Sequence, residues 1–493
     1  MNISTDTRGR AAPSPTSTAT PTGIDGTKKM NGNHTSCNSG GISPEWVFLI
    51  ISVVFGYIFV FVTPPFQAPD EYHHMFRAYH VSMGGLVSSK AGGISGAQLP
   101  VNLGNTVINV STNLSQHPNN KQKLSDLRKV MHIPLEPEKT VFYFFPNTAR
   151  YAPVMYAPQA LGILVGRVCH AAPIFIMYLG RITNLIVWIA LIYTAISTTP
   201  VYKWLFLLLA LTPMSLFLGA SLSADAFTNA VAFVFAALIF KAAFGGGGKV
   251  STRELALIFL TAAMLSLSKQ VYVPALLIFL MIPAQKFGAL KRYTAIAASF
   301  FIVNAAVAFS WFFMSGDLLV SLREKLDISP QRQLYSITHH PLDFAIAMRN
   351  TLFKYWSDVL TDFIGKLGWL DTELPAYIHI TFWALLIFTA VCENSADIAV
   401  KIKDKAIAAA AFVSTTFLIV LSQYLTWTEV DKNIIEGLTG RYFIPVAAAL
   451  FLLFYNNKFH INTKKPLFGV LILCYLAVVM ISTIAAMITR YYL

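Results

Sequence analysis

What most limits this chain is the grouping of its apolar residues into blocks of about 20, the length of one helix across a bilayer. Runs such as Leu205–Leu211 and Leu276–Ile282 show no period-two alternation. That speaks against barrel strands and leaves helices, because only helices and closed barrels satisfy their backbone in hydrocarbon. Hydrophobic residues make up 55% of the 493 and charged residues 12%. Soluble domains carry about 25% charged residues, so this chain cannot cover a water-facing surface. A net charge of +13 would suggest nucleic acid in a soluble protein. Here much of the charge sits in short loops between apolar blocks, the positive-inside pattern, and no nucleic-acid partner is expected. Four cysteines, Cys37, Cys169, Cys392 and Cys474, form no CxxC pair and no zinc spacing. A P-loop, a GxGxxG and an HExxH are all lacking, so nothing supports ATP-driven transport or a zinc protease.

Residues 1–44, rich in Ser, Thr, Pro, Gly and Asn, read as a disordered tail, made cytoplasmic by Arg8, Arg10, Lys28 and Lys29. The first span is expected at Trp46–Val62. Ten more follow, at Ile174–Thr198, Trp204–Ala220, Ala224–Phe244, Leu255–Leu267, Val271–Ala284, Ala295–Met314, Ala376–Val391, Ala406–Trp427, Tyr442–Tyr455 and Phe468–Met487. The expectation is an all-α polytopic bundle of about eleven (11–13) spans over 45–493. Loop charge decides the segment 152–169. If it is an interfacial or re-entrant helix, Lys203, the Lys241–Arg253 loop, the Lys286–Arg292 loop, Lys401, Lys403, Lys405, Lys458, Lys464 and Lys465 all fall inside. Two large loops, 63–173 and 315–375, then lie outside with the C-terminus.

The first of these loops opens with Thr63-Pro-Pro-Phe-Gln-Ala-Pro-Asp-Glu-Tyr-His-His. Pro69 suits a first helical position, and Asp70 and Glu71 suit the positive end of the helix dipole. A helix running to about Met83 places Asp70, His73, His74 and Arg77 on one face, with Phe76, Tyr79 and Met83 as an apolar stripe. The functional reading is a general base at the bilayer edge. The alternatives are a helix-capping carboxylate pair and a His–His–Asp metal site. The second loop carries Trp369, which also suits an interfacial anchor, with Asp371 and Glu373 as hydroxyl ligands or solvated caps. Asp225, Lys269, Arg441 and Tyr442 lie at span ends on the same side. Polar groups there are functional candidates. The two cations fit a phosphate clamp, or snorkelling to headgroups.

Pro69-Asp-Glu71 with His73, His74 and Arg77-Ala-Tyr resembles the start of a bacterial membrane family, the domain of unknown function 2142. So do Tyr151-Ala-Pro, Leu179-Gly-Arg-Ile-Thr-Asn184, Ser221-Leu-Ser-Ala-Asp-Ala-Phe-Thr-Asn229, Leu367-Gly-Trp-Leu-Asp-Thr372 and Gly440-Arg-Tyr-Phe-Ile-Pro445. The likeness runs from about residue 45 to the C-terminus. That family in turn resembles the GT-C glycosyltransferases, which implies a GT-C-like bundle in the bacterial inner membrane, Asp70 as catalytic base and Glu71 as its neighbour. It also implies a polyprenyl-phosphate sugar donor, a glycan, lipid or protein acceptor in the cell envelope, and inversion at the anomeric carbon. The sequence requires no cofactor and is compatible with a divalent metal. The competing readings are a flippase or transporter of lipid-linked saccharide and an O-antigen polymerase or ligase.

Overall fold

A computed structural model describes residues 42–111, 114–115, 117–320, 326–395, 397–463 and 465–493. The expected tail, with Cys37, lies outside the described residues up to position 41, as does Lys464. Helix α1 (Pro44–Val62) starts inside the range assigned to that tail, because the Ser43 hydroxyl accepts from the Trp46 N–H and Pro44 takes the first helical position.

The stretch after α1 is folded rather than looped. It contains α2 (Glu71–Ser82), strands β1 (Ser89–Ala91) and β2 (Ile94–Pro100), helices α3 (Val101–Ser111) and α4 (Leu124–Met131), and β3 (Thr140–Phe144). The short α5 (Pro146–Ala149), a 3₁₀ turn and α6 (Ala157–Val168) complete it. The antiparallel sheet has the order β1-β2-β3 and sets Gly96 opposite both Ser89 and Phe144. Met75, Tyr79, Leu99, Leu103, Tyr156 and Ile163 form an apolar core here, distinct from that of the bundle. Thus α2 does not lie on a membrane surface: Phe76 and Tyr79 are buried and only Met83 of the expected stripe is exposed. Helix α6 has 12 residues, about 18 Å at 1.5 Å each, too short for a core of about 30 Å.

The bundle continues with α7 (Pro173–Thr198), α8 (Lys203–Ala210), α9 (Pro213–Gly219), α10 (Ala224–Phe244), α11 (Thr252–Ser268), a 3₁₀ helix over Gln270–Met281, and α12 (Leu290–Met314). Helices α13 (Pro330–His339) and α14 (Pro341–Gly365) precede the two-stranded pair β4 (Lys366–Leu367) and β5 (Thr372–Glu373). Then come α15 (Ala376–Cys392), α16 (Ile402–Thr426), a 3₁₀ helix over Gly440–Val446 that runs into α17 (Ala447–Leu452), and α18 (Pro466–Tyr491). Among the described residues, six helices are long and apolar enough to cross a membrane: α1, α7, α10, α12, α16 and α18.

The expectation of about eleven uniform spans is corrected at the other five. Trp204–Ala220 breaks at Thr212-Pro213, where Thr212 caps α9. The segments at Val271–Ala284 and Tyr442–Tyr455 hold Pro274 and Pro445 and wind as 3₁₀ helix, since proline lacks the N–H an α-helix needs. Helices α11 and α15 stop at 17 residues each. Broken backbone at membrane depth is tolerated where protein surrounds it, and Trp204–Phe217 is buried throughout. The expectation of an all-α chain with two large loops, the first with juxtamembrane helices, is corrected by the two small sheets and by the packed helices of both segments.

Candidate functional site

The approach to the site begins where α1 ends. Two residues there have left-handed backbones, Phe66 at φ 63° and Asp70 at φ 57°. A non-glycine residue in that region is strained, Asp less than most. Asp70 occupies the N-cap position of α2, yet its side chain makes no capping bond, so a capping role for this carboxylate is set aside. The left-handed turn aims consecutive side chains in different directions. Asp70 stays half-buried, while Glu71 is sealed inside.

Glu71, expected as a second catalytic carboxylate, is an anchor. It is fully buried against an equally buried Arg181, with Nη2–Oε2 at 2.6 Å and Nε–Oε1 at 2.8 Å. The Leu222 N–H also donates to Glu71. Arg181 spends its remaining donors on the carbonyls of Val60, Thr63 and Pro64. This network fastens the exit of α1 to α7 and to the start of α10. His74 and Arg77, expected on a substrate-facing surface, are also structural. His74 Nδ1 lies 2.8 Å from the Tyr156 hydroxyl. Arg77 donates to the carbonyls of Tyr151, Gly85 and Leu86 and meets His80. With His74 occupied in this way, the His–His–Asp metal set is not assembled, and no cluster of three or more His, Cys, Asp or Glu suited to a metal occurs among the described residues.

Around Asp70 the chain gathers groups from five segments. Burial raises the Asp70 carboxyl above its ordinary range, and the nearby Asp225 adds to this; Arg441, Asn147 and Lys269 pull the other way without cancelling it. Asn147, on α5, is adjacent to both Asp70 and His73. Burial holds the His73 imidazole down at about 4, so it is neutral at pH 7. Lys269, the residue between α11 and its 3₁₀ continuation, pairs with Asp225 at 2.5 Å. Its ammonium stands 5.2 Å from the ring centres of Tyr151 and Tyr442. The Arg441 guanidinium stands 5.4 Å from the same Tyr442 ring, and the Tyr272 hydroxyl donates to the Tyr442 carbonyl at 3.0 Å. Each cation therefore sits at the start of a proline-containing 3₁₀ helix, and Tyr272 ties the two helices together. His73 Nδ1, Asn147 Oδ1 and Arg441 Nε are buried atoms with no protein partner.

Trp369 borders this cluster. Its indole N–H donates to the Phe66 carbonyl at 3.3 Å, and its ring stacks on Tyr72 at 6.1 Å. Asp371 and Glu373, expected as substrate ligands beside it, are placed elsewhere. Asp371 holds Arg490 of α18 at 2.6 Å. Glu373 is 77% exposed opposite Lys366. The structure thus brings together Asp70, His73, Asp225, Lys269, Arg441 and Tyr442. Asn147, Tyr151, Tyr272 and Arg181 were missed from sequence. Tyr151 and Arg181 carried a signal, since both lie in segments that resemble the family, and Arg181 is also a charge within an apolar span that requires a partner.

Over residues 53–450 the chain matches the family described as predicted membrane protein (DUF2142), and it belongs to that family. No curated protein and no solved structure matches it.

Proposed function

We propose that this member of the family is a glycosyltransferase of the bacterial inner membrane, which moves a sugar from a polyprenyl-phosphate donor to a cell-envelope glycan, lipid or protein acceptor. The N-terminus is read as cytoplasmic, and the Asp70 side as periplasmic along with the C-terminus, from loop charge. The observation that carries the reading is one half-buried carboxylate with a raised pKa in a cluster that also holds two cations. Asp70 takes the proton of an acceptor hydroxyl. That oxygen bonds to the anomeric carbon as the bond from that carbon to the phosphate oxygen breaks, and the electron pair leaves with the lipid phosphate. Attack opposite the leaving group inverts the centre. Arg441 and Lys269 stabilise the charge that develops on the phosphate. A raised pKa brings the base closer to working pH, where general-base catalysis is most effective.

Asp70→Asn is nearly isosteric but cannot take up the proton. In membranes supplied with a polyprenyl-phosphate sugar, transfer should fall by about 10²–10⁴-fold, the usual contribution of general acid–base catalysis, with protein level unchanged. Normal transfer by the variant would overturn the assignment.

A flippase for lipid-linked saccharide is the second reading, favoured by one observation. The bundle has proline-broken segments at 203–219, 270–281 and 440–452, a trait of transporters. It predicts movement of a labelled lipid-linked sugar across vesicles that survives Asp70→Asn.

A further inference from the structure

Helix α14 has three longitudinal faces. Phe344, Ala347 and Thr351 are buried against the protein. At 100° per residue, Leu342, Ile346, Leu352, Phe353 and Trp356 form a second, outward stripe. Phe353 is 84% exposed, Leu342 75% and Trp356 58%. A third stripe, beside the buried face, carries Asp343 and Lys354, both exposed. A helix between protein and water alone has no use for the outward aromatic stripe, and a helix surrounded by lipid has none for the charged one.

The surroundings of α14 fix its level. Its Phe344 and Ala347 pack on Val420 and Tyr424, at the end of the long apolar helix α16. Its other end lies beside the second turn of α15, where the Trp383 indole donates to the Leu360 carbonyl at 3.1 Å and stacks on Phe363. The helix therefore spans from the edge of one apolar helix to a depth of two turns beside another. Arg349, exposed within the apolar stripe and donating to the Asn350 amide oxygen at 3.1 Å, keeps donors over and is the kind of cation that extends along lipid to reach a headgroup, and Trp356 is of the type that collects at that level.

We propose that α14 lies obliquely in the membrane interface, with its Leu342–Phe353–Trp356 face against bilayer lipid, its Asp343–Lys354 face in water, and Arg349 on lipid phosphate. This places Arg441 as well. Gly440 abuts the backbone of Val359 and Phe363 with no room for a Cβ, and the Thr439 hydroxyl donates to Asp362 at 2.9 Å. The helix proposed to contact lipid is thus the one that holds the turn bearing Arg441. The inference needs only the membrane-spanning bundle and stands whether or not the chain transfers sugar.

The test uses the full chain, with its native cysteines replaced by serine, in vesicles of phosphatidylethanolamine and phosphatidylglycerol. Phe353→Cys and Lys354→Cys, one residue apart and on different faces, each receive a spin label. Collisions with a water-soluble nickel chelate should be lost at 353 and kept at 354, with oxygen collisions the reverse. Ile346→Cys and Asp343→Cys repeat the comparison nearer the start of the helix, so that local damage at one pair is recognised. Equal chelate access at both members of both pairs would overturn the proposal, as would equal protection of both.

Discussion

Asp70 and Glu71 are neighbours in the chain, and each lies in a cluster that also contains arginine. The Glu71 carboxylate and the Arg181 guanidinium are both fully engaged. Arg181 alone engages one carboxylate and three carbonyls, and both side chains of the pair have 0% exposure. Around Asp70 the groups are half-buried, the Lys269–Asp225 pair is 13–14% exposed, and buried atoms of His73, Asn147 and Arg441 have no partner. Buried polar atoms in native proteins are nearly always satisfied, and each exception calls for its own explanation. A saturated network holds elements together and has nothing to offer a ligand. An unsaturated one, kept in place by its saturated neighbour, does. The left-handed turn at Asp70 is what separates the two roles over a single peptide bond.

The largest expected effect tests the saturated half. Glu71→Gln leaves the Arg181 charge buried without its counter-charge, which costs about 3–5 kcal/mol for pairs of this kind. The variant should yield little monodisperse protein in detergent, with a sharply lowered melting temperature. A variant that melts like the parent but has lost activity would reverse the comparison and return Glu71 to the site.

The next effect tests the unsaturated half. Arg441→Ala removes a cation that has no carboxylate partner of its own among the hydrogen-bonded pairs. Under the proposed function kcat/KM for donor should fall by about 100-fold, equivalent to about 2.7 kcal/mol at 1.36 per decade, with an increased KM. Because Arg441 lies outside the Glu71 network, the melting temperature should move little. A collapse in stability with unchanged donor affinity would make Arg441 a second anchor.

The contrast also explains what could be read from sequence. Apolar length alone located the six long helices, because a span leaves a contiguous signal. The breaks at Pro213, Pro274 and Pro445 were hidden because hydropathy does not register a missing N–H, and burial in the bundle tolerates it. β2 gave little warning, since Ile-Ser-Gly-Ala-Gln-Leu-Pro does not alternate throughout, whereas β3, Thr-Val-Phe-Tyr-Phe, carried a β-branched and aromatic signal that was passed over. Asp70, Lys269, Arg441 and Asp225 were selected by residue type at span ends, and the fold brings them together. Glu71 and Asp371 misled because their partners, Arg181 and Arg490, are 110 and 119 residues away. Helical spacing assigned His74 and Arg77 to the face of Asp70; their hydrogen bonds go to Tyr156 and the Tyr151 carbonyl, while the charges of Asp225, Lys269 and Arg441 still act on His74.

The smallest expected effect uses pH to separate the same two layers. His74 is 6% exposed and bound to Tyr156, and it lies against the site, where the charges of Asp225, Lys269 and Arg441 act on it. Burial is the main reason its pKa lies at about 3 instead of 6.5. A histidine whose folded pKa is depressed binds its proton more readily in the unfolded chain. Stability therefore begins to fall as pH drops below 6.5 and continues to fall until about 3. Between pH 7 and 5 this one residue should cost about 2 kcal/mol, at 1.36 kcal/mol per pH unit for one proton. Melting in detergent, followed across that window, should show the loss, and His74→Gln should flatten the slope by about one proton. Asp70 behaves in the opposite sense. Its carboxyl is raised by burial, so acid protonates the proposed base at a higher pH than it would an ordinary aspartate, and that protonation removes transfer without adding to the loss of stability. Two acid limbs, with only the stability limb altered by His74→Gln, would confirm that site and anchor titrate separately. A single limb shared by activity and melting would show that the two layers are one unit.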